Sequence, residues 1–184
     1  VEKLIGMVPE RSFAEFARVL EIGLHHEQQH QELLLTDILH AFAQNPIYPA
    51  YDKDWIPPRA AQNGGASVDL PAGIQTVGHD GRGYSFDNEH PRHDVLLQPA
   101  RIDRELITNA QWLDFMQDGG YRTPALWLSD GWAVREAEDW QAPGYWRMQD
   151  GTWMSMTLGG LRAVDPDAPV CHVSYYEADA FARW

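Results

Sequence analysis

The chain has 184 residues, 44% hydrophobic and 22% charged, which suits one large or two small globular domains. Its 14 Lys and Arg stand against 27 Asp and Glu, a formal charge of −13 that argues against nucleic acid or an anionic membrane as partner. No apolar run reaches the roughly 20 residues of a membrane span, and a single cysteine, Cys171, rules out an internal disulfide framework. The first residues, VEKLIGMVPERS, lack the layout of a signal peptide. A cytoplasmic location and a buried, apolar Cys171 are the expectations that follow.

Residues 12–43 read as one long helix. Ser12 and Glu15 have the form of a capping box, Phe13, Phe16, Leu20, Leu24, Leu34, Ile38 and Phe42 recur at helical spacing, and Pro46 and Pro49 bar continuation. A helix of this length points to a bundle whose other helices come from elsewhere. Residues 45–72, rich in Pro, Gly and small side chains, read as a connector. From Gly73 the runs GIQTVGHD, HDVLLQP and ARIDRELI read as strands. Thr108 caps a short helix ended by Gly119-Gly120, and residues 121–160 form a Trp-rich irregular stretch. PVCHVSYYEADAFARW then runs a strand into a helix, with Ser174 and Glu177 as a second capping box. That helix is cut at Trp184, so the chain is expected to be an internal piece of a longer protein.

The segment LHHEQQHQELLL carries the chemistry. His26 and His30 are four residues apart, which places them about 40° apart around a helix and one turn apart along it. Both imidazoles can then reach one metal ion. Gln29 lies about 60° from His26 and borders the same pocket, while His25 lies about 100° off that face. His40 is about 15 Å further along the axis, too far to share the ion. His26-Glu27-Gln28-Gln29-His30 also satisfies the H-E-x-x-H pattern of zinc peptidases, with Glu27 as the water-activating carboxylate. The extended form of that pattern fails, because Leu33 and Thr36 stand where Gly and the third His belong. No glutamate follows between Glu32 and Glu89 to complete the alternative zinc site.

His26-x-x-x-His30-x-Glu32, within HHEQQHQELLLTDI, resembles the signature of the nonheme iron sulfoxide synthases of ergothioneine biosynthesis. These enzymes join a DinB-like helical bundle to a formylglycine-generating-enzyme-like domain. FDNEHPRHDVLLQPARIDRELITNAQWLDFM, GGYRTPALWLSDGW and TLGGLRAVDPDAPVCHVSYYEADAFARW resemble that second domain independently. The implied fold class is α+β. Residues 1–44 would be the C-terminal part of the bundle and 45–72 a linker. Residues 73–184 would be the N-terminal part of the formylglycine-generating-enzyme-like, C-type-lectin-like domain.

The resemblance implies that His26 and His30 are two of three histidines holding Fe(2+), the third lying upstream of Val1. Three neutral imidazoles leave open positions for a thiolate and O2. Gln29 would contact trimethylhistidine (hercynine), and Glu32 would hydrogen-bond around the ligands rather than bind the metal. The family reaction joins a thiol, cysteine or γ-glutamylcysteine, to the imidazole C2 of hercynine as a sulfoxide. The catalytic tyrosine is expected beyond Trp184, so Tyr175 and Tyr176 are read as packing residues, and the isolated chain is expected to be inactive. Selenoneine or ovothiol-type synthesis on the same scaffold, or a non-catalytic lectin-like module, are the competing functions. His90 and His93, separated by Pro91, are read as structural hydrogen bonders. Trp127, Trp132, Trp140, Trp146 and Trp153 are read as core rather than as a cage for a trimethylammonium group. Gly78, Gly81 and Gly83 do not make a nucleotide loop, because no helix follows them.

Overall fold

Pro9 decides where the long helix starts. The computed structural model, which describes residues 2–58 and 66–184, shows a short helix α1 (Glu2–Ile5) and then α2 (Glu10–Gln44). The Ser12 N–H donates to the Pro9 carbonyl at 2.9 Å, so Ser12 lies inside the first turn and does not cap it. The expected Ser12–Glu15 capping box is therefore absent. Proline, with its fixed φ and missing N–H, supplies the start instead. The other end falls at Gln44, two residues before Pro46, as expected.

The chain divides into two units: Val1–Asp37 with Leu70–Ala100, and Ile38–Asp69 with Arg101–Trp184. The first holds most of α2 and an antiparallel hairpin of β2 (Gly73–Val77) and β3 (His93–Leu97). Gly73 pairs with Leu97 and Val77 with His93, and the Thr76 hydroxyl donates to Asp94 Oδ1 across the strands at 2.8 Å. None of the described residues of this unit is buried. On α2, Val19, Ile22, Leu24, Leu33 and Leu34 are each more than half exposed.

The second unit contains the core. Here β1 (Ser67–Leu70), inside the expected connector, pairs with β4 (Ala100–Asp103). The rest of that connector from 59 to 65 lies outside the described residues. Thr108 caps α3 (Asn109–Gln117), and its hydroxyl oxygen accepts from the Gln111 N–H. Gly119 adopts a left-handed φ of 86°, which closes the helix. A Cβ on Gly120 would come within 2.1 Å of the Phe115 ring, so only glycine lets this turn lie on the core.

Residues 121–160 are more regular than their sequence suggests. They form α4 (Ser129–Ala137) and an antiparallel meander of β5 (Trp146–Gln149), β6 (Thr152–Thr157) and β7 (Gly160–Ala163). Short strands joined by tight turns, with aromatics at scattered positions, carry no clear period of two. In the C-terminal stretch the expected strand reduces to one bridge, Thr108 to Pro169, because His172 takes a left-handed φ of 60°. The helix after it, α5 (Tyr175–Arg183), has the expected Ser174–Glu177 capping box.

Trp112, Phe115, Tyr121, Trp127 and Ala180 form the main core, with Trp132, Trp140, Tyr176 and Phe181 packed against it. Leu39 and Ala43 from the end of α2 join Met156 in a second cluster. Trp127, Trp132 and Trp140 thus serve as core, as expected; Trp146 and Trp153 instead stand half-buried on the meander, ring centres 6.1 Å apart. Tyr176 packs over Gly131, where a Cβ would meet it at 2.5 Å, but Tyr175 is 72% exposed and does not pack as expected. Cys171 is exposed rather than buried, its thiol near the Pro169 carbonyl at 3.4 Å. Partial desolvation still raises the thiol pKa, which favours the protonated form.

One buried polar network ties the core together. The Tyr121 hydroxyl donates to Glu177 Oε1 at 2.6 Å, Glu177 Oε2 accepts from the Ser174 N–H at 2.6 Å, and the Trp112 indole N–H lies 3.4 Å from the Tyr121 oxygen. Glu177 therefore caps α5 and anchors Tyr121 at once. Burial, and then the Glu177 charge, push the Tyr121 phenol far above its ordinary pKa.

Candidate metal centre

The i, i+4 spacing does bring two imidazoles together. His26 and His30 lie on consecutive turns of α2 with ring centres 4.5 Å apart and planes inclined by 78°. Among the described residues neither ring is engaged in a hydrogen bond or ion pair, so both keep a nitrogen free for a ligand. Gln29 and Glu32 stand exposed on the same stretch.

His25 has a different task. Its ring stacks on Tyr84 at 4.0 Å and 23°, and meets the edge of Phe86 at 6.2 Å. Its Nδ1–H donates to Gln28 Oε1 at 3.1 Å. Tyr84 and Phe86 come from the long loop between β2 and β3, so this contact fastens the loop to the helix one residue from His26. Desolvation, and then the Glu21 carboxylate, raise the Tyr84 phenol above its ordinary pKa. The sequence placed His25 off the metal face but gave no sign of its aromatic partners, which lie about sixty residues on.

The remaining histidines are occupied elsewhere. His79 accepts from the Gly81 N–H at Nδ1 and donates from Nε2 to the Arg82 carbonyl. His90 bonds to the Ser85 hydroxyl at 2.7 Å, and His93 donates to the Pro91 carbonyl at 2.8 Å. These are the structural roles expected of His90 and His93. His40 bonds to the Tyr145 hydroxyl at 3.2 Å. His172 packs edge-on against Tyr145 at 4.8 Å, and desolvation lowers its pKa.

Among the described residues no group of three or more His, Cys, Asp or Glu could hold a metal ion. The pair of free imidazoles suits a borderline divalent cation as two ligands of a larger set. No carboxylate of these residues completes a zinc-peptidase site beside Glu27.

The sequence from residue 53 onward defines the class. Residues 53–184 match the family described as Sulfatase-modifying factor enzyme 1-like domain, and the chain belongs to that family. Among individual relatives it is similar to the hercynine oxygenase of Mycolicibacterium smegmatis, 38% identical over 165 residues that make up 88% of this chain and 37% of that protein. The Mycobacterium tuberculosis hercynine oxygenase is 41% identical over 100 residues, 54% of this chain and 23% of that protein. A formylglycine-generating enzyme of Thermomonospora curvata is 33% identical over 157 residues, 74% of this chain and 49% of that protein. The chain thus spans little more than a third of the hercynine oxygenases it matches. A continuous match over 88% of 184 residues leaves out at most about 22 of them. That is too few to exclude His26 or His30, so the matched stretch contains the histidine pair. No helix among the described residues is long and apolar enough to cross a membrane.

Proposed function

We propose that the full-length protein is an iron(II)- and O2-dependent sulfoxide synthase. It would form a carbon–sulfur bond between hercynine and a cysteine-type thiol, cysteine or γ-glutamylcysteine. The observation that carries this reading is the free His26–His30 pair, inside the stretch that matches a hercynine oxygenase and ahead of a formylglycine-generating-enzyme-like domain. A formylglycine-generating enzyme would need the second domain alone and would leave two paired imidazoles on α2 without a purpose.

In this reading α2 is the last helix of a DinB-like bundle, residues 45–72 connect it to the second domain, and that domain runs from 73. The exposed Val19, Ile22, Leu24, Leu33 and Leu34 support a bundle helix, because a solitary surface helix would show apolar residues on one face only. His26 and His30 hold Fe(2+) together with a third histidine. When bound, the iron supplies the oxidising power of O2 to the coupling of thiol and imidazole. Gln29 orients the imidazole side of hercynine by hydrogen bonding from the flank of the pair. Glu32 hydrogen-bonds around the ligands and steadies the helix face. His25, held against Tyr84, keeps the neighbouring loop in place and stays off the metal. The reaction belongs to the cytoplasm, where the thiol donors are reduced.

The test is product formation by the full-length protein. It is incubated with iron(II), O2, hercynine and, in separate arms, cysteine or γ-glutamylcysteine, and the products are read by mass spectrometry. The sulfoxide adduct is expected in one arm and absent from His26→Ala and His30→Ala. Iron binding without any hercynine adduct would overturn the substrate assignment and turn attention to selenium donors.

A further inference from the structure

A cleft of about 440 Å³ opens in the second unit, within the volume range of small-molecule sites. Two arginines enter it from separate elements. Arg122 ends the 3-10 turn Gly120–Arg122, and Arg135 lies in the last turn of α4. Gln117 at the end of α3 adds an amide group, Gln141 lines the cleft with its Nε2 donating to Asp139 Oδ2 at 3.0 Å, and Trp153 and Met116 supply an apolar wall. No carboxylate is among the lining residues, in a chain whose net charge is −13.

The state of the two guanidinium groups is the second observation. Among the described residues neither Arg122 nor Arg135 forms an ion pair. The Arg135 guanidinium sits 5.4 Å from the centre of the Trp132 ring, which fixes its position. Its Nε is buried with no hydrogen-bond partner. That atom is closed to a ligand, so it is the place of both guanidinium side chains on the cleft wall without an ion-pair partner that points to an anion. Tyr121 also lines the cleft, but its hydroxyl proton is committed to Glu177. Glu177, the carboxylate that accepts this proton, is not among the residues lining the cleft.

We propose that this cleft binds a small organic carboxylate. Two planar guanidinium forks favour bidentate contact with a carboxylate, and the Gln117 amide extends the polar floor. Trp153 and Met116 would contact a carbon skeleton, which a bare inorganic anion lacks. The negative charge of the whole chain does not prevent this, because at physiological salt it is screened beyond about 8 Å while the arginines act at contact.

The experiment titrates the full-length protein by calorimetry at constant ionic strength. The probes are phenylacetate, its neutral isostere phenylacetamide, and inorganic phosphate. Phenylacetate is expected to bind saturably, at least about tenfold more tightly than phenylacetamide or phosphate, as charge-assisted hydrogen bonds imply. Arg122→Gln and Arg135→Gln are each expected to weaken it about tenfold or more. Arg122→Lys, which keeps the charge and loses the fork, should fall between. Arg101→Gln, whose native arginine pairs with Asp69 at 2.6 Å, should leave binding unchanged. His26→Ala, which removes a proposed iron ligand, should also leave it unchanged, so failure of the iron reading and failure of this one are distinguishable. Thermal melts followed by circular dichroism identify any variant that has lost its fold, and the Arg122 variants decide the case if Arg135→Gln unfolds. Absence of saturable binding, equal affinity for the amide or for phosphate, or indifference to both arginine substitutions would overturn the proposal.

Discussion

The two units solve opposite problems with the same chain. In the second, large aromatics close over glycine turns, and Trp112, Phe115 and Tyr121 are buried to a few per cent exposure. In the first, none of the described residues is buried, and the apolar residues of α2 face outward on more than one side. The second unit resembles a finished core. The first presents chemistry, two free imidazoles and an aromatic clasp at His25, on a helix whose apolar surface has no cover within the unit. Stability and the candidate site are thus housed separately, and substitutions should separate them too.

The largest effect is expected at the centre of the second unit. Phe115→Ala should cost about 3–5 kcal/mol, seen as a fall in the thermal midpoint, because the ring is fully buried. A loss below about 1 kcal/mol would mean that this core is looser than its packing indicates. Tyr121→Phe should cost about 1–3 kcal/mol, because Glu177 loses the hydroxyl that satisfies one of its buried oxygens. Chemical denaturation measures it, and a neutral result would mean that water replaces the hydroxyl.

Leu24→Gln sharpens the contrast. In the 184-residue chain it should change stability by under about 0.5 kcal/mol, since Leu24 is 61% exposed. In the full-length protein the same change should cost about 2 kcal/mol if a bundle covers it. Equal effects in both would remove the support that α2 gives to the bundle.

The smallest effect concerns pH. Desolvation holds the folded-state pKa of His172 below its ordinary value. The unfolded chain then takes up a proton more readily, at about pH 6.5, so the neutral His172 contributes its full stability above that pH. This contribution is lost as pH falls from about 6.5 toward the lowered pKa. His172→Gln should flatten that part of the stability–pH profile, and an unchanged profile would show that the ring is solvated in the folded state.

Much of this was legible in the sequence where a local rule governs. The Thr108 and Ser174 caps, the glycine stop at 119–120, the β2–β3 hairpin strands and the proline end of α2 follow from backbone chemistry within a few residues. The closeness of His26 and His30 follows from helical geometry. Where long-range packing decides, the sequence was mute or misleading. The meander of residues 146–163 has no clean alternation, and Cys171 and Tyr175 face solvent on either side of His172, which takes a positive φ. The Ser12 capping box was a sound motif outranked by Pro9, three residues earlier. Neither the Tyr84 clasp on His25 nor the Arg122–Arg135 cleft leaves a local signature, since each joins residues brought together only by the fold.

On the proposed function, α2 presents a metal-binding face at His26 and His30, with His25 turned away to the loop. Iron(II) stoichiometry of the anaerobically loaded full-length protein tests it, measured for the wild type, His26→Ala, His30→Ala and His25→Ala. Loss of tightly bound iron is expected in the His26 and His30 variants, and wild-type iron content in His25→Ala. Iron retained in the first two, or lost equally in all three, would contradict it.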